Sequence, residues 1–155
     1  MTNTDHHDSK QVCTFLVDGL LFGVEVTRVQ EVLRHQEMTP VPLAPAVIEG
    51  LINLRGQIVT AIDLRRRLAL SPRPTDQLPM NVVVRQDDGV VSLLADEIGD
   101  VVDVEDACFE PVPETMNQCS KDLIQGVYKL EAQLLLLLKT ELVVRVDAAA
   151  GAAQA

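Results

Sequence analysis

The chain has 155 residues, 47% of them apolar but only 3% aromatic, with no tryptophan and a formal net charge of −10. Affinity for a phosphate backbone depends on clustered Lys and Arg, so this balance opposes nucleic acid as a partner. The length suits one domain or two small packed ones that bury about 68–70% of their unfolded surface, with a core of Val, Leu and Ile that fits half-buried strands.

In chain order, Met1 to Gln11 is polar and reads as a disordered leader. Its Asp5-His6-His7-Asp8 run lacks the ligand count of a closed metal site. Val12 to Val17 alternates as a strand, Asp18-Gly19 is a hairpin signal, and Leu20 to Val26 is the return strand. Val26, Val29, Val32 and Leu33 fit a short helix or a bulged strand, and we expect the strand because the corresponding later segment contains Gly99. Thr39 to Pro45 holds three prolines and cannot continue a ladder, so it is a connector.

Val47 to Leu70 reads as two short strands joined at Arg55-Gly56, followed by a helical turn carrying Arg65, Arg66 and Arg67. This puts an arginine at the tip of a strand pair. Ser71 to Pro79 is a Pro-rich surface link, and Met80 to Arg85, Asp87-Asp88-Gly89 and Val90 to Ala95 form a second hairpin. Asp96 to Glu110 is acidic and reads as a solvated face. Asp122 to Val146 holds the last strands, Leu134 to Leu138 among them, and Asp147 to Ala155 is an Ala-rich frayed tail.

Much of this pattern is written twice. At a shift of 76 positions, Ile48, Gly50, Leu54 and Gln57 fall on Ile124, Gly126, Leu130 and Gln133. Pro40-Val41-Pro42 falls on Pro111-Val112-Pro113 at 71, Gly19 on Gly89 at 70, and Val29 and Glu31 on Ile98 and Asp100 at 69. The ordered matches indicate a duplicated β unit, with its largest insertion around Glu114 to Asp122. We expect a first barrel unit over about 12–70, the link at 71–79 and a second unit over about 80–146, since closed barrels remove unpaired strand edges.

Cys13, Cys108 and Cys119 are odd in number and show no paired spacing, which points away from a disulfide framework and toward a reducing cytosol. The N-terminus has no apolar core of a secretory signal, and no uncharged run reaches the length of a membrane span. Phosphate-loop, dinucleotide and hydrolase-elbow motifs are absent. We therefore expect no catalytic residue, no metal and no cofactor. An interaction role has two features: Arg55 on its turn, able to pair bidentately with a partner carboxylate, and a groove between barrels lined by Val26 and Val29 with Glu31. Arg55 as an ordinary solvated turn cation, and the two valines as core, are the competing readings.

Val29-Gln-Glu-Val-Leu-Arg34, Thr39-Pro-Val-Pro42, Gly50-Leu-Ile-Asn-Leu-Arg-Gly56 and Ile62-Asp-Leu-Arg65 together resemble the CheW family of bacterial chemotaxis coupling proteins. The resemblance covers about Val12 to Val146. It implies an all-β fold of two intertwined five-stranded SH3-like barrels with short helical turns. It further implies a non-catalytic adaptor, cytoplasmic at receptor arrays, that couples chemoreceptor cytoplasmic tips to the regulatory domain of a histidine kinase. By position, Glu31 and Arg55 match the family's coupling residues and Val26 and Val29 its receptor-facing positions, while Gly50, Asn53 and Gly56 are read from the sequence itself as shaping the turn. The second half departs from the pattern where Arg55-Gly56 becomes Glu131-Ala132, so only the first unit presents the cation. An adaptor of a related chemosensory pathway, such as surface motility, is the alternative. A ligand-binding or enzymatic β-barrel, with His35 and the Asp96 to Asp106 carboxylates around a pocket, is the rival from another class.

Overall fold

The computed structural model describes residues 9–86, 89–105 and 109–145. The Asp5–Asp8 run, most of the leader, Asp87-Asp88, Cys108 and the tail lie outside the described residues. The strands are β1 (Ser9–Val17), β2 (Leu20–Glu25), β3 (Val29–Leu33), β4 (Ile48–Leu54), β5 (Gln57–Asp63), β6 (Met80–Gln86), β7 (Gly89–Ala95), β8 (Glu97–Glu105), β9 (Phe109–Glu110), β10 (Ile124–Lys129) and β11 (Leu134–Leu138). Short helices follow as α1 (Leu64–Arg67), α2 (Gln118–Leu123) and α3 (Thr140–Val143). The uniform Leu134–Leu138 run is a strand, four of its five leucines buried. Val26–Arg28 is a 3-10 turn and not part of a continuous strand; pairing with β6 begins only at Val29.

The strands form two sheets, ordered β8-β1-β2-β11-β10-β9 and β3-β6-β7-β5-β4. The duplication explains this order. β6 and β7 repeat β1 and β2, while β8, β10 and β11 repeat β3, β4 and β5, so each sheet takes its first hairpin from one repeat and its other strands from the other. The exchange is sealed by two equivalent parallel pairings, Leu135–Leu137 beside Leu21–Gly23 and Thr60–Asp63 beside Val91–Leu94. The expected division into a unit over 12–70 and a unit over 80–146 is therefore corrected: the link at 71–79 does not separate the sheets. The first sheet also gains a two-residue sixth strand, β9. Its Glu110–Val127 pairing is the repeat of the isolated Thr39–Leu51 bridge.

Matching bulges mark the two copies. The register of β4 slips between Ile48 and Gly50, and that of β10 between Ile124 and Gly126. In both places a side chain would collide with the segment laid across the strand. A Cβ on Gly50 would stand 2.8 Å from the Thr39 carbonyl, and one on Gly126 would run into the Phe109 ring. Gly50 thus serves a strand crossing and not a turn.

Packing is divided among three clusters. Val12, Leu21, Val104, Tyr128, Leu135 and Leu137 fill one sheet's interior, and Ile52, Leu54, Val59 and Val83 fill the other's. The largest cluster joins them, with Phe15, Phe22 and Val24 from the first sheet against Ile62, Val82, Val84 and Leu93 from the second. The barrel junction is a shared core.

An ionic cluster closes this junction at one end. Arg65, the second residue of α1, donates from Nε at 3.1 Å and from an Nη at 2.6 Å to Asp96, which joins β7 to β8 across the two sheets. Its other Nη donates to the Ser71 and Pro72 carbonyls. The Asp18 amide, at the β1–β2 tip, donates to Asp96 at 2.7 Å, and Arg73 pairs with Asp63 at 3.1 Å. The side chains of Arg65 and Asp96 are 8% and 7% exposed. Two expectations are corrected here. Asp96 does not belong to a solvated acidic face, and the start of the 71–79 link is pinned inward through Arg73. Elsewhere in the acidic stretch, Glu97, Asp100, Asp103, Glu105 and Glu110 are exposed as expected.

The α1 end is held by the inserted segment 114–122. The Ser120 hydroxyl donates to the Leu68 carbonyl at 2.7 Å, while Arg67 reaches the Leu142 and Val143 carbonyls of α3.

Burial pushes the Asp96 carboxyl upward, but the Arg65 hydrogen bonds, the Asp18 amide and the charges of Arg65 and Arg73 outweigh it and hold the group below the usual carboxylate range. The native state therefore favours the ionised form. This stabilisation is present above the unfolded carboxylate value near 3.9 and is lost as pH falls from there through the lower folded value. Asp96→Asn should cost roughly 3–5 kcal/mol at neutral pH by removing the nearest counter-charge of Arg65 and leaving only the more distant Asp18, and should flatten the acid limb of a stability–pH curve measured by urea denaturation. Gly50→Ala should cost roughly 1–3 kcal/mol in the same assay and detach the Thr39–Leu51 bridge, seen as faster amide exchange at both residues.

Candidate functional site

The β4–β5 hairpin is closed by two residues, Arg55 and Gly56, with φ of 51° and 91°. Positive φ at both positions is the type I′ turn that matches strand twist. Gly56 supplies it freely, with nothing near its missing Cβ. Asn53 secures the turn by accepting from the Gly56 amide at 2.8 Å. Arg55 thus stands on a turn held by the Asn53 side chain and the positive φ of Gly56.

Its guanidinium is not free. Arg55 Nη2 donates to Glu31 Oε2 in an ion pair, with the Arg55 side chain 69% exposed and that of Glu31 21%. Glu31 reaches this place through a bulge. Pairing with β6 slips between Val29 and Glu31, so Val29 sits opposite Val84 while Glu31 sits opposite Val83. Val84 faces the central core and Val83 the second barrel's interior. Glu31 therefore emerges at the rim of that interior, beside the hairpin tip, where regular pairing would have kept it on Val29's face.

Val26 and Val29 are half-buried and pack against the central core. Arg85 fixes the turn they flank by donating to the Thr27 and Val29 carbonyls. A cleft of about 170 Å³ nearby is lined by Glu25, Arg28, Gln125, Leu138, Thr140 and Glu141. The structure thus joins Glu31 to Arg55 directly and leaves each valine partly anchored and partly open. Val26, Val29 and Glu31, expected to line a junction groove, do not line this cleft.

His35 lines a separate open hollow of about 900 Å³, where Glu37 and Glu49 are the carboxylates. Among the described residues, none from Asp96 to Glu105 borders it, so His35 and those carboxylates do not share a pocket. Among the described residues, no group of three or more His, Cys, Asp or Glu is placed to hold a metal ion. Among the described residues, no helix is long and apolar enough to cross a membrane.

Sequence reasoning missed the cluster of Arg65, Asp96, Asp63, Arg73 and Asp18. Its one local signal is Asp63 as N-cap of α1, where it accepts from the Arg65 amide. The pair that matters spans 31 residues.

Comparison with known proteins agrees with this architecture. The scaffolding protein TtCheW from Thermoanaerobacter tengcongensis superposes with a TM-score of 0.78 at 25% identity, over 89% of this chain and 94% of that one. The chemotaxis protein CheW of Rhizobium meliloti is 28% identical over 91% of this chain and 93% of its own length, and that of Bacillus subtilis 31% identical over 81% of each. The family profile described as the CheW-like domain matches residues 11–148, and with the exchanged sheets it places this chain in the CheW-like family.

Proposed function

We propose that the chain is a non-catalytic adaptor that couples chemoreceptor cytoplasmic tips to the regulatory domain of a histidine kinase, at signalling arrays on the cytoplasmic face of the membrane. The observation that carries this reading is the Glu31–Arg55 pair, an exposed cation oriented by a half-buried carboxylate on a fixed turn. An exposed ion pair contributes about 0–1 kcal/mol to stability. A fold that spends a bulge and two left-handed residues to build one is better explained by recognition than by stability. Arg55 keeps donors free after binding Glu31, because a guanidinium carries five N–H groups. Those donors suit a partner carboxylate. Val26 and Val29, half-buried where β3 and its preceding turn pack on the central core, supply apolar area, and Asn53, Gly56 and Gly50 hold the presenting strands in place.

Nothing in this role requires bond-making, and the residues proposed for it are those of a docking rim. The partners themselves would supply the catalysis.

Arg55→Ala should change the folding free energy by less than about 1 kcal/mol while weakening co-purification with a histidine kinase and a receptor fragment at least tenfold. Unchanged assembly would remove Arg55 from the role. A charge exchange separates orientation from contact. If Arg55 touches the partner, the Glu31→Arg/Arg55→Glu double variant stays defective although its internal pair is restored; recovery would mean that the pair acts only by holding β3 to the hairpin.

A further inference from the structure

The cleft of about 170 Å³ beside the Val26–Arg28 turn sets five polar side chains, Glu25, Arg28, Gln125, Thr140 and Glu141, around the buried Leu138. Its walls are built and not left over. Ile124 faces Leu138 and Gly126 faces Leu137, so Gln125 is the extra residue of the β10 bulge. A bulge re-aims the side chain it carries, here toward the cleft. Thr140 is only 4% exposed, yet its hydroxyl makes no hydrogen bond among the described residues. A buried hydroxyl ordinarily has a partner, and the space in front of this one is the cleft. Arg28 stands on a turn whose Thr27 and Val29 carbonyls are held by Arg85.

The charges say what fits. Glu25 is paired with Lys10 at 3.6 Å, which leaves Arg28 and Glu141 as the lining charges with no ion-pair partner among the described residues. Their signs are opposite, so a charged occupant of either sign is attracted by one and repelled by the other. The volume is below the roughly 300–1,000 Å³ of small-molecule pockets and suits a single side chain. A carboxamide meets every demand: its oxygen accepts from Arg28, its NH₂ donates to Glu141, and Gln125 and Thr140 can serve the lone pair and the N–H that remain.

We propose that this cleft receives one Asn or Gln side chain of the chemoreceptor tip, seated when the receptor meets Val26 and Val29. The inference rests on the adaptor reading and adds to it the residues that choose the receptor. A tip with Leu at that place leaves Arg28 and Glu141 desolvated and unpaired, and one with Asp is repelled by Glu141. The histidine kinase makes no use of the cleft.

Calorimetric titration of the purified full chain with a chemoreceptor cytoplasmic fragment, without kinase, tests this. Arg28→Glu and Glu141→Arg should each weaken binding at least tenfold, with the Tm of the free chain and its co-purification with the kinase alone unchanged. The Arg28→Glu/Glu141→Arg double variant should recover most of the loss, because a carboxamide can turn over and exchange its two ends whereas a charged side chain cannot. On the receptor side, one Asn or Gln of the tip should show a similar loss when changed to Leu, and no further loss when that change is combined with Glu141→Arg. Single variants that bind as wild type, a double variant as weak as the singles, or tip variants whose losses all add to that of Glu141→Arg would each overturn the amide assignment and leave the adaptor reading standing. A wild-type chain that binds no receptor fragment would overturn both.

Discussion

The structure depends on an exchange of strands. Because β11 lies parallel to β2 and β5 parallel to β7, neither half of the chain can close a sheet without the other. Their shared boundary becomes the largest core, joining Phe15, Phe22 and Val24 to Ile62, Val82 and Leu93. Two barrels that merely touched could rock against one another, as small polar domain interfaces commonly allow. Here motion at the boundary would expose a continuous apolar core, so the elements that present Glu31 and Arg55 are set on a stiff frame.

Electrostatics reinforces the same boundary. Arg65 draws together the β7–β8 corner, the β1–β2 tip and the start of the 71–79 link, and Arg73 adds the end of β5 through Asp63. A buried ion pair is weak support for stability in general, since desolvation offsets much of its attraction. Its value here is geometric: Arg65 fills its donors only when parts of both sheets are in register. The exposed Arg55–Glu31 pair sits at the opposite extreme of burial, adding little to stability and leaving donors open to a partner. The two arginines differ in exposure: Arg65 fastens the frame, whereas Arg55 is the one we propose for recognition.

Much of the fold could be read from the repeat. Gly50 and Gly126 align at a shift of 76, and both mark a bulge where another segment crosses the strand. The Arg55-Gly56 turn was legible because only a few residue pairs suit a two-residue hairpin. The assignment of strands to sheets was not, because alternation in β1 and β2 reads the same whether their neighbour is β5 or β11. The resemblance implied intertwined barrels, yet a division by sequence halves missed how they intertwine. Asp96 was read as one member of an acidic run because burial of a carboxylate is revealed only by a partner far along the chain. The Val26–Arg28 turn was missed since Val29 and Leu33 keep an apolar rhythm through the bulge that follows.

The account turns on whether partners dock at the rim formed by β3 and the β4–β5 turn of a rigid, exchanged frame. Hydrogen exchange of the chain alone and in assembly with a histidine kinase and a receptor fragment tests this most directly. The account predicts new protection at residues 26–33 and 54–58, with the central strands β2, β7 and β11 already slow and unchanged. Protection confined to other surfaces, or a frame that loosens when partners bind, would contradict it.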